Sequence, residues 1–251
     1  MNQARLYALY ETDPSPVVDF LRWLTAAYGS TGALDVLDVG CGPGRLLGPM
    51  SALGWRVVGL EPDPEYTAAA REKAEGLPDA RVQTGGFEEI EAESAFDLIA
   101  AVNGPYSYLL TADARRDAVE RCARALRPGG VLFLHFSNFW WILRHYREPP
   151  EQTLTVDGIV VTRTAEHEID YDAGHFTHVD TFRWTSAAGE ERRLTKTHAM
   201  SMVAPPETKR LLRAAGLEDI RTFNDYADRE PARLTGKSVL VAAQRPSRRT
   251  G

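Results

Sequence analysis

The sequence predicts an α/β fold: a doubly wound, seven-stranded, mostly parallel sheet, interrupted late in the chain by an antiparallel β insertion. Three observations predict it. Apolar strand-like runs alternate with helical stretches from Val36 to Leu134, the pattern of a parallel sheet covered on both faces. The first of these runs enters a glycine loop, Gly40-Cys41-Gly42-Pro43-Gly44. From about residue 147 to 203 the helical pattern gives way to alternating threonine and valine with recurring turn signals. A main domain is therefore expected over 1–146 plus 204–251, with the insertion at 147–203.

The chain has 251 residues, enough for one large α/β domain with an insertion. Its 43% hydrophobic and 25% charged residues are ordinary for a globular protein. A formal net charge of −6 argues against nucleic acid as the main partner, because such binders carry a basic field. Cys41 and Cys122 make no metal-ligand or disulfide pattern, which suits a reducing compartment. Met1 to Ser30 is broken by Glu11, Asp13, Pro14, Pro16, Asp19 and Arg22, so no signal-peptide core is read there. No apolar run approaches the roughly 20 residues needed to span a bilayer. A cytoplasmic protein with no membrane partner is expected.

The elements follow in order. Residues 5 to 28 read as helical, interrupted at Pro14 and Pro16, with Val17, Phe20, Leu21 and Leu24 on one face. Val36 to Val39 is a strand, and Leu46, Leu47 and Met50 beyond the glycines suit the buried side of a helix. Arg56 to Leu60 is a second strand ending in Glu61-Pro62-Asp63; Pro64 to Glu75 is a helix stopped by Gly76-Leu77-Pro78. Ala80 to Thr84 is a short third strand leading to Gly85-Gly86-Phe87, and Phe96 to Val102 is a fourth, ending in Asn103-Gly104-Pro105-Tyr106-Ser107-Tyr108. After a helix from Ala112 to Leu126, Arg127-Pro128-Gly129-Gly130 turns into a fifth strand, the glycines permitting a tight reversal. Pro206 to Ala215 is the last helix, and Leu217 to Phe223 and Ser238 to Ala243 are the last two strands.

The glycine loop is a cofactor seat, since glycines beyond a buried strand let a ligand lie against the main chain. Their spacing at 40, 42 and 44 is GxGxG; the dinucleotide fingerprint would need a glycine where Arg45 stands. This spacing disfavours a nicotinamide oxidoreductase. Pro43 lacks an N–H and so removes a donor that a pyrophosphate would use. Glu61 stands about 20 residues on, at the end of the next strand, where a carboxylate accepts both hydroxyls of an adenosine ribose.

Asp38 through Gly44 resemble motif I of the class I S-adenosylmethionine (SAM) methyltransferases position by position. The Glu61 acid, the strand-four loop and the Pro-Gly-Gly turn resemble that family in order, strongly over residues 34 to 136 and weakly over 205 to 244. The resemblance implies a seven-stranded sheet with its last strand antiparallel, SAM as methyl donor and S-adenosylhomocysteine (SAH) as product. It implies cofactor contacts from Tyr10 in the N-terminal segment, Asp38, Gly40, Gly42, Gly44, Glu61, Pro62, Gly86, Phe87 and Asn103. Where Gly86 stands the family usually has an acid for the adenine amino group, so that group must be bound here by main chain or by Glu88 or Glu89. Asn103-Gly104-Pro105-Tyr106 comes close to the Asn-Pro-Pro-Tyr signature of methyltransferases acting on bases, and Gly104 breaks the match.

The insertion reads as antiparallel hairpins. A two-residue loop at Ala173-Gly174 would set Tyr171 opposite Phe176 and His167 opposite Asp180. A three-residue loop at Ala187-Ala188-Gly189 would set Phe182 opposite Leu194, Asp180 opposite Lys196 and His178 opposite His198. One face then carries His167, His178, His198, Asp180, Lys196, Tyr171, Phe176, Phe182 and Trp184. That face either closes over a methyl acceptor, packs on the main domain, or forms a homodimer contact. A metal site is not expected, His175 and His178 being read as spanning a turn.

Small-molecule methyltransferases, including amino-sugar N-methyltransferases, carry sheet insertions at this place. The resemblance thus implies methyl transfer from SAM to N or O of a small molecule. The alternatives are a SAM-fold protein that binds without transferring and an enzyme acting on a nucleic-acid base. His178 and His198 are candidate bases, since a histidine titrates near neutrality. Tyr106 and Asn138 are candidates for positioning the acceptor.

Overall fold

The structure, a computed structural model, describes residues 3–7, 13–145, 147, 151–156, 158–186 and 188–247. Helices α1 (Gln3–Tyr7) and α2 (Ser15–Ala27) precede strand β1 (Asp35–Val39). The alternation continues through α3 (Leu47–Ser51), β2 (Arg56–Glu61), α4 (Pro64–Ala74), β3 (Ala80–Thr84), β4 (Phe96–Ala101), α5 (Ala112–Ala125) and β5 (Leu126–Ser137). Helix α6 (Phe139–His145) leads into four strands, β6 (Gln152–Val156), β7 (Ile159–Asp170), β8 (His175–Thr185) and β9 (Glu191–Ser201). The chain ends with α7 (Pro205–Ala214), β10 (Glu218–Phe223) and β11 (Ser238–Gln244).

The main sheet has the order β3-β2-β1-β4-β5-β11-β10, parallel except for β11, which runs against both its neighbours. This is the expected seven-stranded sheet. Its apolar runs are continuous because both faces are covered. On one face α2 brings Phe20, Leu21 and Leu24, each fully buried, against Val36, Leu98 and Phe133. On the other, Ala118, Val119 and Cys122 of α5 meet Leu37, Ile99 and Leu132. Each such leucine or phenylalanine contributes roughly 1.5–3 kcal/mol of burial, so these two apolar layers fix which strands are central. Helix α4 starts where Pro62 and Asp63 dictate, because the Asp63 carboxylate accepts from the N–H groups of Glu65 and Tyr66.

Because β1 pairs with β2 and β4 in parallel, Val39 beside Leu60 and Asp38 beside Ala100, the carboxyl ends of these three strands lie together. The glycine loop, Glu61 and Asn103 therefore converge, though the sequence separates them by some tens of residues.

The insertion is a meander, β6-β7-β8-β9. Its second hairpin has the expected register, with Phe182 opposite Leu194, Asp180 opposite Lys196 and His178 opposite His198. The first hairpin does not. His167 faces His178, Ile169 faces Phe176 and Asp170 faces His175, two residues away from the two-residue-loop register. The turn is longer because the Asp170 carboxylate accepts from the N–H groups of Asp172 and Ala173, organising a four-residue reversal that ends at Gly174. A slip of two residues preserves which side chains share a face. The three histidines stay together, and Tyr171 alone leaves the face, 75% exposed in the turn.

His175 and His178 both lie in β8, on opposite faces, rather than across a turn. Among the described residues no group of three or more His, Cys, Asp or Glu side chains is arranged to hold a metal ion. No described helix is long and apolar enough to cross a membrane.

Candidate active site

The aromatic and histidine face of the insertion roofs the carboxyl ends of β1, β2 and β4. Lys196 of β9 donates to the Tyr66 hydroxyl of α4 at 2.6 Å and sits over its ring at 4.1 Å. The Tyr108 hydroxyl, in the loop after β4, pairs with His198 Nδ1 at 2.5 Å. The hinge between roof and floor is a buried cation. Arg115 of α5 binds Glu207 of α7 at 2.8 Å, the Leu109 carbonyl at 2.8 Å and the Ser201 hydroxyl at 2.9 Å. One guanidinium thus ties the strand-four loop, α7 and the end of β9 together, with the bonds that a buried charge requires.

Beneath the roof are two adjoining cavities. The first, of about 310 Å³, is bounded by the glycine loop at Gly40 and Gly42, by Glu61 and Pro62, by Gly86 and by Asn103. The second, of about 340 Å³, is walled by Leu6, Phe182, Leu194 and Met200, with Arg163, His178 and Asp180 supplying charge. Tyr66, Tyr108, Lys196 and His198 line both, and so form the boundary between them.

The first cavity has the features of a nucleoside seat. Gly40 adopts φ +69°, and a Cβ there would stand 2.5 Å from Pro105 Cγ; only glycine lets the strand-four loop close on the glycine loop. Glu61, 6% exposed, is oriented by two main-chain donors: Oε2 accepts from Gly42 N–H at 2.8 Å and Oε1 from Asp63 N–H at 2.9 Å. Each carboxylate oxygen keeps a further lone pair for a ligand hydroxyl. Burial raises the Glu61 pKa, and the two main-chain bonds work against that rise. Asp38, 1% exposed, is not among the residues that line the cavity; its Oδ2 has no partner among the described residues, and burial pushes its pKa up to about 7 against the pull of Arg45. A ligand ammonium beside it would satisfy both the orphaned oxygen and the desolvated charge.

Of the residues predicted for the cofactor, Gly40, Gly42, Glu61, Pro62, Gly86 and Asn103 surround this cavity. Tyr10 lies outside the described residues. Gly44 faces elsewhere: a Cβ on it would meet Ala70 of α4 at 3.2–3.3 Å, so its smallness serves helix packing. Phe87 does not wall the cavity, for its ring is buried edge-on to Tyr106, 6.2 Å between centroids. Two acids stand beside Gly86, though neither lines the cavity. The Glu88 carboxylate stands 2.8 Å from where a Cβ of residue 86 would be, while Glu89 accepts from Gly86 N–H at 2.6 Å.

The acceptor candidates divide. His178 and His198 both face the second cavity. Both ring nitrogens of His178 are engaged, Nε2 with Asp180 at 2.8 Å and Nδ1 with His167 Nε2 at 2.6 Å. Asp180 is also held by Arg163 at 2.6 Å; burial opposes its charge, but the bonds from His178 and Arg163 prevail and keep its pKa below the ordinary value. His198 Nδ1 takes the Tyr108 hydroxyl, and burial with the nearby Lys196 lowers its pKa to about 4.

Tyr106 and Asn138 are placed away from both cavities. Tyr106 is fully buried between Phe87 and Phe136, because the turn at Gly104-Pro105 aims its ring into the core. Asn138 caps α6, accepting from Trp141 N–H and donating to the Gly236 carbonyl at 2.9 Å. Sequence reasoning missed Tyr66, Tyr108 and Arg163. Only Tyr108 carried a signal, as the second tyrosine of the strand-four loop.

A glycine loop, a buried acid at the end of the next strand and a second cavity under the roof thus meet at the carboxyl ends of β1, β2 and β4. Residues 36–130 match the family model described as a methyltransferase domain. The chain is 34% identical over 113 residues to a ubiquinone biosynthesis O-methyltransferase of Bradyrhizobium diazoefficiens, a match covering 44% of this chain and 42% of that relative. It spans less than half the length of that curated relative. Among solved structures it is similar to an amino pentose methyltransferase from Micromonospora echinaspora, described with SAM bound. The TM-score is 0.74 and the identity 24%, over 96% of this chain and 94% of that one. It is also similar to a sugar N-methyltransferase from Streptoalloteichus, with TM-score 0.74 and 21% identity over 92% and 87% of the two chains. At these identities the likeness establishes the fold.

Proposed function

We propose that the chain transfers a methyl group from SAM to the nitrogen of a small molecule held in the second cavity. The observation that carries this reading is the shared boundary: Tyr66, Tyr108, Lys196 and His198 line both cavities, so a donor in one and an acceptor in the other would meet there. In the first cavity Glu61 would hold the ribose, while from outside its present lining Asp38 would meet the methionyl ammonium and Glu88, beside Gly86, the adenine amino group. Bound SAM would supply an electrophilic methyl on its sulfonium. What the protein adds is placement, since two reactants held in line lose little further freedom on reacting.

The low basicity of His198 favours nitrogen over oxygen as acceptor. A neutral amine attacks with its own lone pair, giving an ammonium that sheds its proton after the C–N bond has formed, whereas an alcohol needs a base to take its proton as it attacks. His198 retains Nε2 beyond its bond to Tyr108, while both nitrogens of His178 are occupied, so His198 is the base and His178 a fixed wall. An amino sugar fits the size of the second cavity, and the solved relatives named for amino pentose and sugar substrates support that class.

The test is turnover. The purified protein is incubated with SAM and matched pairs of amino sugars and their hydroxyl analogues, and SAH and products are followed by mass spectrometry. Methylated amine with no methylated alcohol is the expected result. SAM binding without methylated product from any pair would instead assign a binding protein.

A further inference from the structure

Across the sheet from the glycine loop, a pair of residues outside both cavities meets the turn that lines the first. Asn103 and Gly104 are consecutive left-handed residues, at φ +64° and φ +97°. Among non-glycine residues asparagine takes this region most readily, and its surroundings decide whether it is held there. The surroundings that impose it come from β5. His135 Nδ1 lies 3.3 Å from the Asn103 N–H, which donates to it, and the His135 carbonyl accepts from Gly104 N–H at 2.8 Å. The same Nδ1 is 2.6 Å from the hydroxyl of Tyr226, in the loop after β10, and the two rings meet edge-on at 5.3 Å between centroids.

The chemistry of this junction is constrained. To accept from Asn103 N–H, Nδ1 must carry a lone pair, so His135 is neutral with its proton on Nε2, and Tyr226 donates. Burial, with Arg45 nearby, lowers the His135 pKa to about 4, in keeping with that tautomer. Tyr226 is itself held against Phe20 at 5.6 Å, in an edge-on contact with the core. The turn held by this pair is the one whose Pro105 presses on Gly40 and whose Asn103 lines the first cavity.

We propose that His135 and Tyr226 are positioning residues, which hold the Asn103–Gly104 turn in the conformation that closes the donor cavity, and so couple the loop after β10 to cofactor binding. The coupling to the cofactor rests on the methyltransferase reading above; the hold on the turn does not.

The experiment compares wild type with Tyr226→Phe, His135→Gln and His135→Leu. Its readouts are SAH affinity by calorimetry, backbone hydrogen exchange over residues 102–108, and thermal unfolding without ligand. Tyr226→Phe keeps the ring and its packing but removes the donor. It is expected to speed exchange at Asn103 and Gly104 about tenfold, leave exchange within β4 and β5 unchanged, and weaken SAH binding about tenfold. His135→Gln presents an amide oxygen to Asn103 N–H and is expected to retain most of the protection, whereas His135→Leu loses it. Unchanged exchange at 103 and 104 in Tyr226→Phe overturns the proposal. So does faster exchange spread evenly over the molecule, which marks a merely structural role. If the wild type fails to bind SAH, the methyltransferase reading falls with the coupling, while the exchange data still decide the hold on the turn.

Discussion

Replacing Glu61 with glutamine changes one oxygen to an amide nitrogen and removes one charge. In the folded protein both carboxylate oxygens face main-chain donors, Gly42 N–H at 2.8 Å and Asp63 N–H at 2.9 Å. Whichever way the amide turns, its NH₂ meets one of those donors, so one orienting bond is lost along with one acceptor for the ribose. Hydrogen bonds to a charged group contribute about 1.5–3 kcal/mol, which at about 1.4 kcal/mol per decade predicts SAH binding weaker by roughly 10- to 100-fold.

The free protein responds differently. The Glu61 pKa is raised by burial, so its favourable contribution to stability is present at acid pH and lost as pH rises through the folded-state value. Glutamine removes the burial cost of the charge and also leaves one main-chain donor unpaired; these oppose each other, so only a small change in the unfolding temperature is expected. Calorimetric titration with SAH, paired with thermal melting of the free variant, separates the two effects. An affinity within about twofold of wild type, with the melt unchanged, refutes the ribose assignment.

Asp38 gives a proton signature: with its pKa near 7 in the free protein, a ligand ammonium should drive proton release, seen as SAH-binding heats that differ between two buffers at about pH 6.5 and abolished in Asp38→Asn. Gly40→Ala places a methyl 2.5 Å from Pro105 at a φ of +69°; it should destabilise by about 1–3 kcal/mol, lower the melting temperature by several degrees, and abolish SAH binding. Glu88→Ala should weaken SAH about tenfold while leaving the affinity for S-inosylhomocysteine, which lacks the amino group, unchanged in titration. His198→Ala should slow turnover of an amine acceptor at least tenfold in a steady-state assay without changing SAH affinity, and equal rates would remove His198 from the chemistry.

The main sheet was legible because each of its signals is local. Strand β1 is apolar but for Asp35 and Asp38, Pro64 and Asp63 begin a helix whatever surrounds them, and the 40/42/44 spacing needs no partner to be read. The second hairpin of the insertion was legible for a related reason: charge and aromatic matching across β8 and β9 leaves one register that puts Asp180 opposite Lys196. The first hairpin was misread by two residues, because the Asp170 side chain recruits main-chain donors that a count of turn residues does not include.

What the sequence by itself determined is the nature of the donor seat. A buried strand, three glycines, a proline that withholds a donor and an acid at the next strand end follow from residue chemistry at short range. What only the tertiary structure decided is everything that depends on direction. Tyr106 and Tyr108 are two residues apart, yet one is sealed in the core and the other stands between the two cavities. His178 and His198 face one another across a hairpin, yet Asp180 and His167 occupy both nitrogens of the first and leave the second with one to spare. Residue type sets which bonds a side chain can make; packing between distant elements sets which of them are already made.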